Sequence, residues 1–351
     1  MSSRIPVTIL GATGLVGQRF VRRLASHPAF EIRHLAASAR SLGKPYGDAC
    51  HWHLDGPSHA GRSAQLIEAC DPDCTAAPVV FSALDADVAR ELEPAFARRG
   101  CLVFSNASAF RLEPDVPLLV PEVNPAHLGL LGWQQARRGW AGGILTNPNC
   151  TTTMLVMALA PLHQAFGVEA VLMSSMQAVS GAGYPGVSSL DLLGNVIPFI
   201  PGEEQKVETE APKLLGTLGA GGVEAAGMAV SALCHRVPVL EGHTVAVSVR
   251  LKGDPLPEAV MAALEAWAPE PQRLGLPSAP ERSIRLHRAE DRPQVRRDVE
   301  RDGGMSVHVG RVRRCPILGI KFTLLGHNTE RGAAGGSLLN AELALASGVI
   351  R

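Results

Sequence analysis

The chain has 351 residues, its 33 Lys and Arg cancel its 33 Asp and Glu, and 46% of it is apolar. Such a composition excludes a disordered tail, and a neutral balance with no basic stripe excludes the electrostatic footprint of a nucleic-acid binder. At about 100–200 residues per domain the length predicts two domains, large enough to bury a core without disulfide staples.

The seven cysteines, Cys50, Cys70, Cys74, Cys101, Cys150, Cys234 and Cys315, form no Cys-x-x-Cys and no zinc-type spacing. They read as reduced thiols with no metal site. The N-terminus lacks a signal-peptide core, and no apolar run reaches the length of a membrane span. The expectation is a soluble cytoplasmic protein with no membrane and no nucleic-acid partner.

In chain order, Pro6 to Leu10 is a short apolar run stopped by Gly11, after which Val16, Phe20, Val21 and Leu24 recur at helical spacing. The pattern predicts strand, tight turn and helix. Further strands are predicted at Phe30–Leu35, Pro78–Ser82, Cys101–Phe104, Val116–Val120 and Gly143–Thr146, with a helix over about 86–99. Alternation of this kind implies a mostly parallel sheet covered on both faces.

After Cys150 the texture changes. Thr151–Phe166 reads as a helix, and Val168–Val179, Met228–Cys234, His243–Lys252, Met305–Val312 and Ile317–Leu325 read as long strands of an antiparallel kind. Helices are predicted near 203–215 and 256–267, and from Gly332 to Ser347. The fold class is therefore α/β, a Rossmann-like domain followed by an α+β domain. Residues 1–149 with 331–351 form the first, the C-terminal helix returning to it, and 150–330 form the second.

Gly11-Ala-Thr-Gly14-Leu-Val-Gly17 follows the first strand and opens the first helix. Glycines there let the backbone approach a pyrophosphate, which the helix N-terminus attracts. The second strand ends in Ala36-Ala-Ser38-Ala-Arg40-Ser41, with no carboxylate for a ribose hydroxyl. Ser38, Arg40 and Ser41 offer donors and a fixed cation for a 2′-phosphate, which favours NADP over NAD.

Asn147-Pro-Asn149-Cys150-Thr151 sets one cysteine at the mouth of an apolar helix. Unpaired N–H groups there predict a lowered thiol pKa and a nucleophile, with Asn149 or Thr151 as the cap. A proton carrier is required, and His243 stands where a turn enters a strand; seven residues earlier Arg236 offers a fork for a carboxylate. Gln177 leads a strand into the glycine-rich loop Ser180-Gly-Ala-Gly183, where it is placed to orient an acyl oxygen.

Together, Gly11–Phe20, Asn147–Cys150, Met176–Gly186, Arg236–His243 and His327–Gly336 resemble the aspartate-semialdehyde dehydrogenase family, above all its archaeal and fungal branch. The resemblance covers nearly the whole chain. It implies NADPH-dependent reduction of 4-phospho-aspartate to aspartate 4-semialdehyde, a step toward lysine, threonine and methionine. It implies Cys150 as nucleophile, His243 as acid/base, Gln177 on the acyl group, and Arg236 on the substrate carboxylate. It also implies Glu203 near the amino group, Lys206 and Arg111 on phosphate, and Asn149 in the substrate site. Cofactor contacts are implied for Gly11, Thr13, Gly14, Leu15, Val16, Gly17, Ser38, Arg40, Ser41, Ser82, Ala83, Asn106, Ser180, Gly181, Gly183, Asn328 and Gly332. A homodimer or homotetramer is implied too. One departure stands out: Ser108-Ala-Phe110 precedes Arg111 where the branch carries Lys-Asn-Tyr. Two alternatives stay open, an acyl-CoA reductase of the malonyl-CoA reductase type and a non-catalytic dinucleotide sensor.

Overall fold

A computed structural model describes residues 4–350. Two six-stranded sheets carry the molecule. The first comprises β1 (Ile5–Leu10), β2 (Phe30–Ala37), β3 (Glu68–Ala69), β4 (Val79–Ser82), β5 (Leu102–Ser105) and β6 (Gly143–Thr146), all parallel, in the order β3-β2-β1-β4-β5-β6. Every residue of β4, β5 and β6 is buried, as expected of strands covered on both faces. The order reverses between β1 and β4, and the crevice beyond their carboxyl ends is where open α/β sheets take ligands.

After a small hairpin, β8 (Thr217–Gly219) and β9 (Gly222–Glu224), comes the rest of the second sheet. It runs β10-β7-β11-β14-β13-β12, from β7 (Val168–Gln177), β10 (Ala229–Arg236), β11 (His243–Leu251), β12 (Ile284–His287), β13 (Val307–Cys315) and β14 (Gly319–Gly326). Its centre is antiparallel, but β10 lies parallel to β7 and β12 parallel to β13. The purely antiparallel expectation is thus corrected to a mixed sheet: the links into the outer strands are long crossovers rather than hairpins, so they deliver those strands in the parallel sense.

The Cys150–Phe166 helix packs against this sheet, and Thr151 through Leu162 are all buried. Its apolar residues surround the axis, the pattern of a helix covered on every side. The chain's last helix, Gly335–Ala346, preceded by a π-helical turn at Glu330–Ala334, sends Leu338, Leu339 and Leu343 into the core of the first sheet beside Val7, Ile9 and Phe81.

A second correction concerns Val116–Val120, which forms no strand. Leu118 makes a single bridge to Thr146, and the segment is otherwise a buried loop. Pro114, Pro117 and Pro121 strip it of the donors that a ladder needs. No helix among the described residues is long and apolar enough to cross a membrane.

Candidate active site

Strand register assembles the reactive residues. Gln177 closes β7, its register partner Arg236 closes β10, and His243 opens β11 opposite Gly326. Three side chains far apart in sequence therefore share one end of the second sheet. The Cys150–Phe166 helix crosses that sheet and presents its first residue there. Asn149 caps it, its Oδ1 accepting from the Thr152 N–H at 3.0 Å.

Cys150 Sγ lies 3.3 Å from His243 Nε2. On the far side of the ring the Ala178 N–H donates to Nδ1 at 3.0 Å. Nδ1 therefore keeps its lone pair, and the proton of the neutral ring sits on Nε2, facing the sulfur. Burial, reinforced by the nearby Arg236 guanidinium, pushes His243 down to about 3, so the ring is neutral at physiological pH.

The thiol departs from expectation. Burial, with the Glu203 carboxylate second, pushes Cys150 up to about 12, against the pull of Arg111, the Thr151 N–H and Arg236. A helix N-terminus alone does lower a thiol pKa, but here desolvation and a carboxylate outweigh it. In the free protein the sulfur rests as a thiol beside a neutral imidazole.

Charged groups ring this pair. Arg236 is buried and donates through Nη1 to the Ala178 carbonyl at 2.6 Å. Glu203 accepts from Asn149 Nδ2 and stands 3.7 Å from the Lys206 ammonium, which reaches solvent. Arg111, buried, donates to the Asn106 carbonyl at 2.8 Å and to Glu210 at 3.1 Å, while its Nε has no partner. Gln177 is buried with Nε2 on Ser175 Oγ at 3.2 Å and Oε1 unpartnered.

The glycine turn sits at the crevice between β1 and β4. Gly11 has φ +74°, and a Cβ there would meet the Ala83 carbonyl oxygen at 2.5 Å. Gly14 precedes a helix that begins at Leu15 and Val16 with no side-chain cap, so its first N–H groups point outward unclaimed, beside Thr13. Gly17 packs so tightly on Gly11 that a Cβ would come within 2.1 Å of its carbonyl oxygen. Ser82 ends β4 with Ala83 directly after it, and Asn106 follows β5. Ser38 and Arg40 are exposed beyond β2, and the Ser41 N–H closes a turn onto the Ser38 carbonyl.

The two ends meet through the segments around Ser180 and Gly332. A Cβ on Gly181 would crowd the reactive groups, lying 2.8 Å from Arg236 Nη1 and 3.3 Å from the His243 ring. Gly183, at φ +72°, continues that loop without obstruction. A Cβ on Gly332 would fall 2.6 Å from that of Cys150. Asn328 donates to Ser180 Oγ at 2.8 Å and accepts the Gly242 N–H at 2.8 Å.

Sequence reasoning missed three links, made by Glu241, Glu210 and Lys213, of which Glu210 is buried. Glu241 accepts from Arg19 on the first helix at 2.7 Å and from Ser180 at 2.8 Å. Glu210 joins Arg111 to the Asn149 N–H, and Lys213 donates to the carbonyls of Arg111 and Glu113. For Glu210 a signal existed: it shares the buried face of the Glu203–Leu214 helix with Val207, Ala211 and Leu214. A carboxylate among apolar positions must have a partner.

The chain matches the family model "Semialdehyde dehydrogenase, NAD binding domain" over residues 6–131 and "Semialdehyde dehydrogenase, dimerisation domain" over 159–331. It is 51% identical to the aspartate-semialdehyde dehydrogenase of Methanothermobacter thermautotrophicus, covering 97% of this chain and 98% of that protein. It is 42% identical to the Saccharomyces cerevisiae enzyme, covering 97% and 98%. The solved structure of the Candida albicans enzyme with NADP superposes with a TM-score of 0.91 at 40% identity, over 99% of this chain and all of that one. Enzyme II of Vibrio cholerae, solved with ASA, gives 0.77 at 27% identity, over 98% and 99%. With relatives this similar along its whole length, and a cysteine–imidazole pair set between its two sheets, the chain belongs to the aspartate-semialdehyde dehydrogenase family.

Proposed function

We propose that the chain is an NADP-dependent aspartate-semialdehyde dehydrogenase, reducing 4-phospho-L-aspartate to L-aspartate 4-semialdehyde and phosphate, on the route to lysine, threonine and methionine. The observation that carries this is the Cys150 sulfur, first in its helix, facing the proton-bearing nitrogen of a buried neutral imidazole at 3.3 Å.

The glycine turn fits a dinucleotide: Gly11 and Gly17 exclude any Cβ, and the helix behind them offers uncapped N–H groups to a pyrophosphate. Gly11, Thr13, Gly14, Leu15, Val16 and Gly17 would hold it there, with Ser82, Ala83 and Asn106 at the neighbouring strand ends. Ser38, Arg40 and Ser41 would hold a 2′-phosphate, and Ser180, Gly181, Gly183, Asn328 and Gly332 the half nearest Cys150. When bound, NADPH supplies the hydride.

Arg236 holds the substrate carboxylate with a two-pronged fork. Glu203 takes the ammonium group, which cancels the carboxylate that raises the thiol pKa, so substrate binding itself favours the thiolate. Asn149 keeps Glu203 in place. Arg111 and Lys206 neutralise the phosphoryl group and make phosphate a good leaving group.

Cys150 then forms a bond to the acyl carbon as the carbon–oxygen bond to phosphate breaks. The thiol proton balances the one that phosphate gains on leaving. A thioester on Cys150 remains. Gln177 keeps Oε1 unpartnered, so its amide can turn an N–H toward the acyl oxygen while Ser175 Oγ switches from acceptor to donor. Once the acyl carbon is reduced, the His243 Nε2–H donates to the developing oxyanion. Collapse breaks the carbon–sulfur bond, releases the aldehyde and returns the thiolate, which takes a proton from solvent.

The exposed face of the second sheet, with Leu172 on β7 and Leu233 on the adjoining β10, suits pairing of two copies into a homodimer or a tetramer built from it. A reducing compartment, the cytoplasm, suits seven unpaired cysteines of which one must stay a thiol.

The test is NADP⁺ reduction driven by aspartate semialdehyde and phosphate, with malonyl-CoA and NADPH assayed in parallel. Phosphate-dependent turnover is the expected result. Preference for the thioester, or cofactor binding with no turnover of either, would overturn the assignment.

A further inference from the structure

The Glu203–Leu214 helix inserts a second carboxylate between the two halves of the site. Glu210 is only 2% exposed. Its Oε1 accepts from Arg111 Nη1 at 3.1 Å, and its Oε2 accepts the Asn149 N–H at 2.6 Å. Asn149 is the cap of the Cys150 helix, and the nucleophile follows it directly. One buried carboxylate thus grips both a cation of the loop after β5 and the backbone turn that aims the sulfur.

A turn further on, Lys213 donates to the Arg111 carbonyl at 2.7 Å and the Glu113 carbonyl at 3.0 Å, so a single helix holds Arg111 by both its guanidinium and its backbone. Partial burial brings Lys213 down to about 8 despite the pull of Glu210. The grip leaves Arg111 Nε buried without a partner. An unsatisfied guanidinium donor in that setting calls for an anion.

We propose that Glu210 is a positioning residue that ties Arg111 to the Asn149–Cys150 turn, so that occupation of the phosphate site and placement of the nucleophile are one event. The proposal rests on the reading above that Arg111 holds the phosphoryl group. Glutamine cannot replace glutamate here. Both partners are donors, and an amide has one oxygen, so its N–H₂ must face either Arg111 or the Asn149 N–H. Aspartate keeps both oxygens and the charge, but on a shorter stem.

The experiment uses the full-length enzyme and its E210Q, E210D, R111A and R111A/E210Q variants. It measures KM for phosphate and for NADP⁺, kcat, and the rate of Cys150 alkylation by iodoacetamide with and without inorganic phosphate. E210Q is expected to raise KM for phosphate and to lower kcat by about tenfold or more each, with KM for NADP⁺ unchanged. In wild type phosphate alters the alkylation rate; in E210Q that response disappears, and E210D restores part of it. Within the R111A background E210Q shifts KM for phosphate by less than about twofold, because the route to phosphate runs through Arg111.

A folded E210Q with wild-type kinetics and a wild-type alkylation response would overturn the proposal, as would equal effects of E210Q in both backgrounds. Should R111A leave KM for phosphate unchanged, the assignment of Arg111 falls instead. The tie to the Cys150 turn then stands or falls on the alkylation rates without phosphate. If E210Q does not fold, E210D carries the same comparisons at smaller amplitude.

Discussion

The cofactor end and the reactive end of the molecule solve anion binding in opposite ways. At the first, backbone does the work: Gly11 and Gly17 exclude side chains, an uncapped helix start offers N–H groups, and Ser38 and Arg40 stand exposed around them. At the second, ionised side chains are buried on fixed hydrogen-bond partners: Arg111 on Glu210, Arg236 on the Ala178 carbonyl, and Glu203 on the Asn149 amide. In water an exposed charge contributes little, whereas a buried one is costly to leave unpartnered. Substitutions of the exposed side chains at the first end should therefore be mild, and those of the buried charges at the second severe.

The largest effect is expected at the sulfur. Cys150→Ser should keep NADP binding and lose turnover by about a thousandfold or more, because a hydroxyl has no usable anion at neutral pH. Near-normal kcat would erase the contrast at its strongest point. Arg236→Lys should raise KM for the semialdehyde by about 10–100-fold with a smaller change in kcat, since a point charge replaces a fork. Steady-state kinetics checks both.

Acid should act on the buried end first. The folded protein holds His243 neutral, pushed down to about 3 from 6.5, so stability falls as pH drops below 6.5 and the unfolded chain takes up the proton. Glu330 adds a lower window: burial alone would raise it, but Arg23 and Arg19 hold it down at about 2 from 4.5. Its stabilisation is full above about 4.5 and is lost as pH falls toward 2. Thermal melts from pH 7 to 3 should decline throughout, and a flat profile would contradict both assignments. The smallest effect belongs to the exposed end: Arg40→Gln should narrow the preference for NADP over NAD by about tenfold or less.

The same contrast sets what the sequence disclosed. The strand, glycine turn and first helix are legible because their determinants lie in one continuous stretch, Ile5 to Leu24, and Cys150 is legible as the first residue of an apolar helix capped by its neighbour Asn149. The thiol's elevated pKa was not, since burial and Glu203 arise only when distant segments meet. Nor was the parallel sense of β10 and β12, because alternation along a strand records which face is buried and not which way its neighbour runs. Glu241 escaped for a related reason, since its partners come from other elements, and the apolar helix spacing around Glu210 marks it as buried without naming its partners.

The central claim is a covalent one, that the acyl group rests on Cys150 between loss of phosphate and release of aldehyde. Incubating the enzyme with aspartate semialdehyde and NADP⁺ without phosphate, quenching in acid and mapping peptides by mass should reveal an aspartyl thioester on Cys150, discharged when phosphate is added before the quench. NADPH formed in a single turnover with that peptide unmodified, or with the acyl group on another residue, would contradict the account.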